Sequence, residues 1–274
     1  MINRILALRV LTECRREFWH SANADLCKAF DPMHRDALWR ILGLRGVPPK
    51  RINLMSELHS GTKSAVRCGD TISDLFPVVT GVRQGCVLDH ILFGACMAWI
   101  MGRMSERSSC GASFGNVTIS DLDFVDDAVI CVETLDILLG ALEVLNEESE
   151  LLGFQVSWVK TKIQAFNDIL DAAVLSVPVC GEDVEVVERF TYLGSDIHVS
   201  AGCEPEVNIC LGQVWRVMDS LAHGVCCCQY LCRRMKVQVF RSLVLPVLLY
   251  GCETWTLTRD LRWRLNYFST KPLR

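Results

Sequence analysis

Ile119-Ser120-Asp121-Leu122-Asp123-Phe124-Val125-Asp126-Asp127-Ala128-Val129-Ile130-Cys131-Val132 is the stretch that decides the fold. β-Branched and aromatic residues fill both halves of this stretch, and adjacent aspartates favour a turn between them. The pattern predicts two short apolar strands joined by a tight turn, with Asp126 and Asp127 at its tip. Adjacent carboxylates on an apolar hairpin repel each other unless a cation offsets their charge. Mg²⁺ would do so with oxygen ligands, and two such ions can drive nucleotidyl transfer. An ordinary acidic turn is the simpler alternative.

The composition predicts a chain that folds around a large core. Half of its 274 residues are apolar, enough for one large domain or two smaller ones. The longest apolar runs, residues 91–102 and 243–250, are shorter than a bilayer span requires, and the N-terminus does not read as a signal peptide. We therefore expect an intracellular protein without a membrane segment. The sequence does not decide between nucleus and cytoplasm, and it leaves the oligomeric state open.

The 15 cysteines are predicted to be reduced thiols, mostly small core residues. One cluster combines His223, Cys226, Cys227, Cys228 and Cys232. Its spacing does not match that of a zinc finger or ribbon, so zinc is not expected there.

Charge is spread unevenly along the chain. The net formal charge is −4, yet residues 207–274 contain ten Lys/Arg and three Asp/Glu. A basic C-terminal part of this kind is what a protein uses to hold a phosphate backbone. A merely solvated helix face would produce the same composition.

The order of strand and helix patterns along the chain predicts an α+β, palm-like layer followed by a small helical domain. Asp25 is expected near the end of the first strand, Asp31 is expected to cap the next helix, and Thr134 is expected to cap an amphipathic helix closed by Gly153. The predicted strands are residues 22–30, 63–68, 71–76, 154–159, 184–187 and 189–195, and a small hairpin is predicted around residues 111–117. The predicted helices are residues 33–42, 49–58, 91–104, 134–152, 207–222 and 233–245.

Three features stand in order along the chain: Asp25 at a strand end, the loop Gly81-Val82-Arg83-Gln84-Gly85, and the Asp126-Asp127 hairpin. Together they resemble the reverse transcriptases of non-long-terminal-repeat (LINE-type) retrotransposons, polymerases with a palm and a thumb. The resemblance runs from about Ala24 to about Thr258. It implies a remnant of the fingers or a linker in residues 1–23, a palm in 24–203 and a helical thumb in 204–274.

The resemblance also implies roles for individual residues. Asp25, Asp126 and Asp127 match the catalytic carboxylates that hold Mg²⁺, with Mn²⁺ as an alternative, and Asp127 contributes less directly. Phe30 matches the aromatic residue that excludes a 2′-hydroxyl, although a plain core aromatic is the alternative. Substrate-binding roles fall on the loop residues Arg83, Gln84 and Gly85. Asp89-His90 replaces the Ser-Pro that is usual after this loop, and we expect it to disturb the start of the next helix.

Two further motifs resemble parts of the same family. A lysine after the amphipathic helix could act as general acid toward pyrophosphate, and both Lys160 and Lys162 are candidates; Lys162 is assigned to substrate binding. Either lysine could instead be a solvated residue on an edge strand. Tyr192, Leu193 and Gly194 match the primer-gripping turn, and residues 250–255 (Tyr-Gly-Cys-Glu-Thr-Trp) match part of the thumb.

The function implied is RNA-directed DNA synthesis from a DNA primer and deoxynucleoside triphosphates. Only 24 residues precede Asp25, so we expect the fingers region to be largely missing, and no endonuclease domain is expected. One alternative is therefore an inactive truncated or domesticated remnant that binds nucleic acid. Another is a different palm enzyme such as a nucleotide cyclase, against which the Gly81–Gly85 loop and the basic C-terminal part argue.

Overall fold

The computed structural model describes residues 1–14, 20–27, 29–114, 116–165, 175–200 and 202–270. Within these ranges the chain forms two compact units. The sheet unit is Glu17–Val187, and the helical unit combines Met1–Arg16 with Glu188–Arg274. Lys28, inside the first predicted motif, and the side chain of His223 lie outside the described residues.

The helices of the described residues include short π- and 3₁₀-segments near the C-terminal end. The α-helices are α1 (Ile2–Cys14), α2 (Arg35–Leu44), α3 (Pro49–His59), α4 (Val87–Ser108), α5 (Leu135–Leu151), α6 (Glu204–Leu221), α7 (Arg233–Val239), α8 (Leu245–Leu248) and α9 (Arg259–Thr270). The π-segments are Ala222–Cys226 and Phe240–Val244, and the 3₁₀-turn is Cys252–Thr254.

The strands fall into one large sheet and several hairpins or short pairs. They are β1 (His20–Asp25), β2 (Lys63–Ser64), β3 (Arg67–Cys68), β4 (Thr71–Ile72), β5 (Phe76–Pro77), β6 (Ala112–Phe114), β7 (Val117–Ile119), β8 (Asp121–Phe124), β9 (Asp127–Val132), β10 (Lys162–Ala165), β11 (Ser176–Val179), β12 (Glu182–Val186), β13 (Arg189–Tyr192) and β14 (Ser195–His198).

The large sheet belongs to the sheet unit and has the order β11-β12-β10-β1-β9-β8. β1 pairs antiparallel with both β9 and β10, and the β10–β12 pair is parallel. β1 and β9 are buried because their side chains are small or apolar, such as Ala22, Ala24, Val129 and Ile130. The mixed helix-and-strand fold that the sequence predicts is confirmed.

Helices α4 and α5 build the core of the sheet unit with the sheet. α5 packs against β1 and β9, and α4 packs against α5 and α2. Thr134 caps α5 as predicted, because its side-chain oxygen accepts the N–H of Ile137.

The helix α4 is longer than the apolar run predicted from the sequence. With 22 residues it has the length and apolar composition that a membrane span requires, so the expectation of a chain without a membrane segment stays a prediction. Leu92, Phe93, Met97 and Ile100 nevertheless lie buried in the core of the sheet unit. A core helix of a soluble domain has these same properties.

The helical unit places the N-terminal helix among C-terminal elements. α1 packs against the 3₁₀-turn, and α6 packs against α8 and α9. Val214, Val244, Leu248 and Phe268 form its apolar core. These ranges differ from the predicted domain limits, since residues 1–14 and 188–200 group with the helices; the division into palm and thumb stays a prediction.

Asp31 does not cap a helix, which corrects one prediction. The next helix begins at Arg35, and the preceding residue, His34, makes no side-chain cap bond. The reason is tertiary: the carbonyls of Phe30 and Met33 accept N–H groups from Val82 and Gly81 at 2.9 and 2.8 Å. This segment is held in a non-helical conformation by the loop that lies beside it.

The strand predicted at residues 154–159 is wrong in its position. Only Val156 makes a bridge there, to Leu26, and the regular strand β10 begins at Lys162. The backbone turns before that strand, with the N–H groups of Lys160 and Thr161 donating to the carbonyl of Ser157. The other predicted elements are present with shifted ends, except that the predicted strands 63–68 and 71–76 are each divided into two short strands. The elements β11, β14 and α9 are additional.

Candidate active site

The hairpin β8–β9 turns through two residues, Val125 and Asp126. Phe124 and Asp127 are the last paired residues on either side. Val125 has a φ of +60°, and Asp126 does not share this positive sign. A positive φ at the first of two turn residues is the feature of a type II′ hairpin, where glycine is usual. A β-branched residue in this conformation is strained, and such strain is typical of functional sites.

The predicted position of the two aspartates is therefore refined. Asp126 lies in the turn and is exposed, whereas Asp127 is the first residue of β9 and partly buried. Asp127 is paired directly with Asp25, the last residue of β1. Directly opposed residues of an antiparallel pair have their side chains on the same face, with Cα atoms about 4.5–5.5 Å apart. The sheet thus brings the predicted carboxylates together.

The charges of Asp25 and Asp126 act on the carboxyl group of Asp127. Burial raises the pKa of Asp127 above its ordinary value, and the charges of Asp126 and Asp25 raise it further, while Lys160 lowers it. Like charges this close disfavour the ionised form of a carboxyl. A cation at this site would be stabilised by the same field.

Lys160 already supplies a positive charge there. Its Nζ lies 3.0 Å from Oδ2 of Asp25, while 65% of the lysine side chain stays exposed. The hydrogen bond and charge of Asp25 raise the pKa of the Lys160 ammonium. Lys160 is therefore protonated at neutral pH and next to a predicted catalytic carboxylate.

Lys162 has a different environment. Its Nζ lies 2.7 Å from Oε2 of Glu185 on the neighbouring strand β12 and 3.0 Å from the carbonyl of Val159. Of the two lysines that the sequence offers as general acid, the structure places Lys160 beside Asp25 and pairs Lys162 with Glu185.

The loop Gly81–Gly85 is fixed against the segment that follows β1. Gly81 has a φ of +73°, and a Cβ on it would lie 2.5 Å from the carbonyl oxygens of both Phe30 and Asp31. Only glycine fits a left-handed backbone this close to another chain segment. The sequence predicts this glycine loop, and the structure adds that it is joined to the Asp25 motif by backbone hydrogen bonds.

Two buried residues, Asp89 and His59, support this loop, and the sequence did not single them out as functional. Asp89, 1% exposed, accepts the backbone N–H of Arg83 at 2.7 Å and lies 3.0 Å from Nε2 of His59. The other ring nitrogen of His59 lies 2.8 Å from the carbonyl of Met55. The sequence feature that could have pointed to Asp89 is the replacement of the usual Ser-Pro by Asp89-His90.

The departure does not disturb the next helix. α4 begins at Val87 and continues through Asp89 and His90. An acidic residue in the first turn of a helix is favourable to its dipole. The expected disruption is therefore wrong, because Asp89 both suits the helix start and binds the loop.

Phe30 is a buried residue in this structure. It is 7% exposed, and its ring stacks on Phe93 with centroids 4.5 Å apart and also contacts His90 at 5.4 Å. This packing is what a core aromatic shows. The role of excluding a 2′-hydroxyl stays a prediction.

A cavity of about 970 Å³ lies beside the same loop. Lys63, Phe76, Arg83 and Gln84 are among the residues that line it. Arg35, also in the lining, donates to the carbonyls of Gly81, His59, Val78 and Thr80 and thereby ties the loop to β5 and α3. Arg83 and Gln84 thus have exposed side chains at the edge of an open, polar space.

The residues present fit a divalent cation by their chemistry. Asp25, Asp126 and Asp127 offer the carboxylate oxygens that Mg²⁺ binds, and their mutual repulsion favours a cation. Over the part of the chain that the structure describes, no group of three His, Cys, Asp or Glu side chains is already arranged as a metal cage. Cys226, Cys227, Cys228 and Cys232, the cysteines of the cluster near His223, are free thiols.

The predicted primer-gripping turn belongs to the helical unit. Tyr192 and Ser195 close a two-residue hairpin between β13 and β14, with Leu193 and Gly194 as its turn residues. Tyr192 is buried, and Gly194 is exposed at the tip. The three residues that the sequence predicts are thus adjacent parts of one tight turn.

An antiparallel sheet with one carboxylate at the end of a central strand and others at the adjoining hairpin is the arrangement of a polymerase palm. The chain belongs to the reverse transcriptase (RNA-dependent DNA polymerase) family, whose sequence profile matches residues 5–197. This confirms the resemblance drawn from the motifs.

Similar proteins are encoded by non-long-terminal-repeat elements. The chain is 30% identical over 113 residues, 41% of its length, to the Pol polyprotein of the type-2 retrotransposable element R2DM of Drosophila melanogaster, covering 10% of that protein. It is 23% identical over 96% of its length to the Pol polyprotein of the type-1 retrotransposable element R2 of Popillia japonica, covering 37%. The chain thus spans a minor part of both polyproteins.

A solved structure supports the fold. Telomerase from Candida tropicalis, in complex with a fragment of telomeric RNA, matches with a TM-score of 0.50. The match covers 98% of this chain and 52% of that one at 12% sequence identity. It shows a shared palm-and-thumb polymerase fold.

Proposed function

We propose that this chain is the RNA-directed DNA polymerase domain of a mobile element and extends a DNA primer on an RNA template with deoxynucleoside triphosphates. The single observation that carries the proposal is the opposition of Asp25 and Asp127 across β1 and β9, with Asp126 in the adjoining turn. Family membership adds the substrate class.

Asp25, Asp126 and Asp127 would hold Mg²⁺, or Mn²⁺ in its place. Bound divalent cations would lower the pKa of the primer 3′-hydroxyl and neutralise charge on the triphosphate. The paired strands fix Asp25 and Asp127 in register, so two of the carboxylates need no reorganisation to meet a common ligand.

Lys160 would act as the proton donor to the leaving pyrophosphate. Its ammonium is protonated at neutral pH, and its exposed side chain can leave Asp25 when a cation binds there. A charged donor next to the reacting phosphate both stabilises negative charge and supplies the proton. Lys162, bound to Glu185, is the less suitable donor.

The loop Gly81–Gly85 would position the incoming nucleotide and the template. Arg83, Gln84 and Lys63 line the 970 Å³ cavity. Together their side chains offer two cations and one amide to a phosphate or a base. Because Gly81 is held against the residues that follow Asp25, a nucleotide bound at the loop would stand in a fixed relation to the carboxylates.

The localisation is proposed as intracellular, because reduced cysteines and template-dependent DNA synthesis both suit that environment. The nucleic-acid partners are proposed as an RNA template and a DNA primer.

Primer extension by the purified chain on an RNA template, with Mg²⁺ or Mn²⁺, tests the proposal. We expect DNA synthesis that is lost in Asp126→Asn. Asp183→Asn is the matched control, because it makes the same charge change at an exposed position of β12 in the same sheet. Equal synthesis by both variants, or none by the unchanged chain, would contradict the proposal.

A second candidate function is nucleic-acid binding without catalysis. The observation that favours it is a cavity of about 560 Å³ lined by Arg233, Arg234 and Arg241, three cations in the C-terminal part. Phosphate contacts by such residues produce binding that weakens steeply with salt. Salt-dependent binding of an RNA–DNA hybrid, together with no DNA synthesis, would support this candidate over the first.

A further inference from the structure

The turn Leu193-Gly194 has an unusual backbone. Leu193 has a φ of +50° and Gly194 a φ of +78°, so both turn residues are left-handed. Two-residue hairpins with two positive φ values are type I′ turns, in which Asn-Gly is preferred. Leucine is unfavourable at the first position because its Cβ crowds the backbone there. Some contact must hold this residue in place.

Tyr250 makes that contact. Its hydroxyl donates a hydrogen bond to the carbonyl of Leu193 at 2.5 Å. Its ring packs below the tip, since a Cβ added to Gly194 would lie 3.2 Å from the ring and from the hydroxyl oxygen. Tyr250 is the first residue of the Tyr-Gly-Cys-Glu-Thr-Trp stretch, which the proposed reaction leaves without a role.

Ser195, the residue directly after the turn, is held by a second set of contacts. Ser195 is fully buried, donates to Oε1 of Glu206 at 2.5 Å and accepts from Nη2 of Arg9 at 3.2 Å. Arg9 also donates to the carbonyl of Asp196 at 3.3 Å and pairs with Glu206 in a buried ion pair. Buried charges are tolerated when each has a partner of opposite sign and hydrogen bonds. Helix α1 therefore contributes to holding the turn.

We propose that Tyr250 is a positioning residue for the primer 3′ end. It holds Leu193 in the left-handed conformation that exposes the backbone of Gly194, while Arg9 and Glu206 hold the other end of the turn. The inference rests on the proposed function, in which this turn is the primer grip that the resemblance implies. It assigns to the Tyr250 stretch and to helix α1 a part in primer binding.

The test compares Tyr250→Phe with Tyr230→Phe. Both changes remove one phenolic hydroxyl, and Tyr230 is the control because it is 99% exposed. The probe is a fluorescein-labelled RNA–DNA hybrid with a recessed DNA 3′ end, compared by anisotropy with a blunt hybrid of equal length. Loss of one hydrogen bond that restrains the turn should weaken binding of the recessed hybrid about 3- to 10-fold and leave the blunt hybrid unchanged.

A rescue variant separates positioning from general stability. Leu193→Asn introduces a residue that accepts the left-handed conformation, so it should restore recessed-end binding in the Tyr250→Phe background. In primer extension the same loss should appear in the KM for primer, with kcat unchanged. Thermal unfolding of all variants checks that they are folded.

Three results would overturn the inference: no preference of the unchanged chain for the recessed hybrid, equal binding by Tyr250→Phe and Tyr230→Phe, or no rescue by Leu193→Asn. These results concern binding. Absence of DNA synthesis by the unchanged chain is a separate result, because it contradicts the proposed function while the binding comparison still decides the inference.

Discussion

Asp25 and Asp127 are direct cross-strand partners in the antiparallel pair β1–β9. Two carboxylates in this relationship destabilise a sheet, because like charges opposite each other repel. Burial is the main cause of the raised pKa of Asp127, and the charges of Asp126 and then Asp25 raise it further. The fold therefore holds a costly arrangement at the point where the proposed reaction needs negative charge.

The first prediction concerns Asp127→Asn. Removing one of the opposed charges should stabilise the folded sheet unit by about 0.2–1 kcal/mol at neutral pH, while DNA synthesis falls sharply. Urea unfolding measures the first effect and primer extension the second. Asp183→Asn, a change of the same kind at an exposed site, should alter neither. A less stable Asp127→Asn would argue against repulsion at this pair.

The second prediction separates the two lysines. Lys160→Gln should lower the rate of nucleotide addition by about 10²-fold or more, the usual size of a general-acid effect. Lys162→Gln should change the rate little, since Lys162 is bound to Glu185. Single-turnover extension measures both rates. The assignment of Lys160 would be wrong if Lys162→Gln gave the larger loss.

The third prediction concerns Gly81→Ala. The added Cβ meets two carbonyl oxygens at 2.5 Å in a left-handed backbone, so the loop must move, at a cost of about 1–3 kcal/mol or more. Gly140→Ala is the matched control: it lies in α5 with no atom within 4 Å of its Cβ, and it should stabilise by about 0.5–1 kcal/mol. Denaturant titration compares them, and similar effects of the two substitutions would refute this account of the loop.

The fourth prediction concerns Asp89→Ala. It leaves the N–H of Arg83 and the ring of His59 without their buried acceptor, at about 1–3 kcal/mol each at most. The loop should also hold nucleotide less well, so the KM for deoxynucleotide should rise. Asp89→Asn retains an acceptor and should lose less. A variant whose KM stays constant would show that Asp89 serves the helix alone.

The fifth prediction concerns pH. Burial lowers the pKa of His20 from its ordinary 6.5, so the folded chain binds fewer protons there than the unfolded chain. The stability associated with His20 is thus present above pH 6.5 and is lost as the pH falls toward the lower folded pKa. His20→Leu should flatten this part of the stability profile. The exposed His34→Leu should not, and an equal effect of both would contradict the prediction.

The sequence predicted those parts of the site that depend on local pattern. The hairpin around Val125 and the glycine loop carry their own signals, because turn chemistry and alternation act within a few residues. Thr134 likewise marks its helix start correctly. The three candidate carboxylates each lie at a recognisable strand end or turn, and their catalytic role, which the resemblance implies, stays a prediction.

The parts that failed depend on contacts distant in sequence. Asp31 reads as a helix cap, but the loop at Gly81 takes the neighbouring carbonyls and delays the helix to Arg35. Asp89 reads as a departure from a motif, yet it binds a histidine 30 residues earlier in the chain. A local sequence pattern does not indicate contacts with residues that are distant along the chain.

The position of β1 between β9 and β10 has a consequence for how the protein would lose activity. β1 is paired with β9 over His20–Asp25 and with β10 over His20–Asn23, so the middle of β1 should open only together with the sheet. Amide hydrogens of β1 should then exchange with solvent only through global unfolding of the sheet unit. Loss of activity on heating should then accompany the unfolding of the sheet unit.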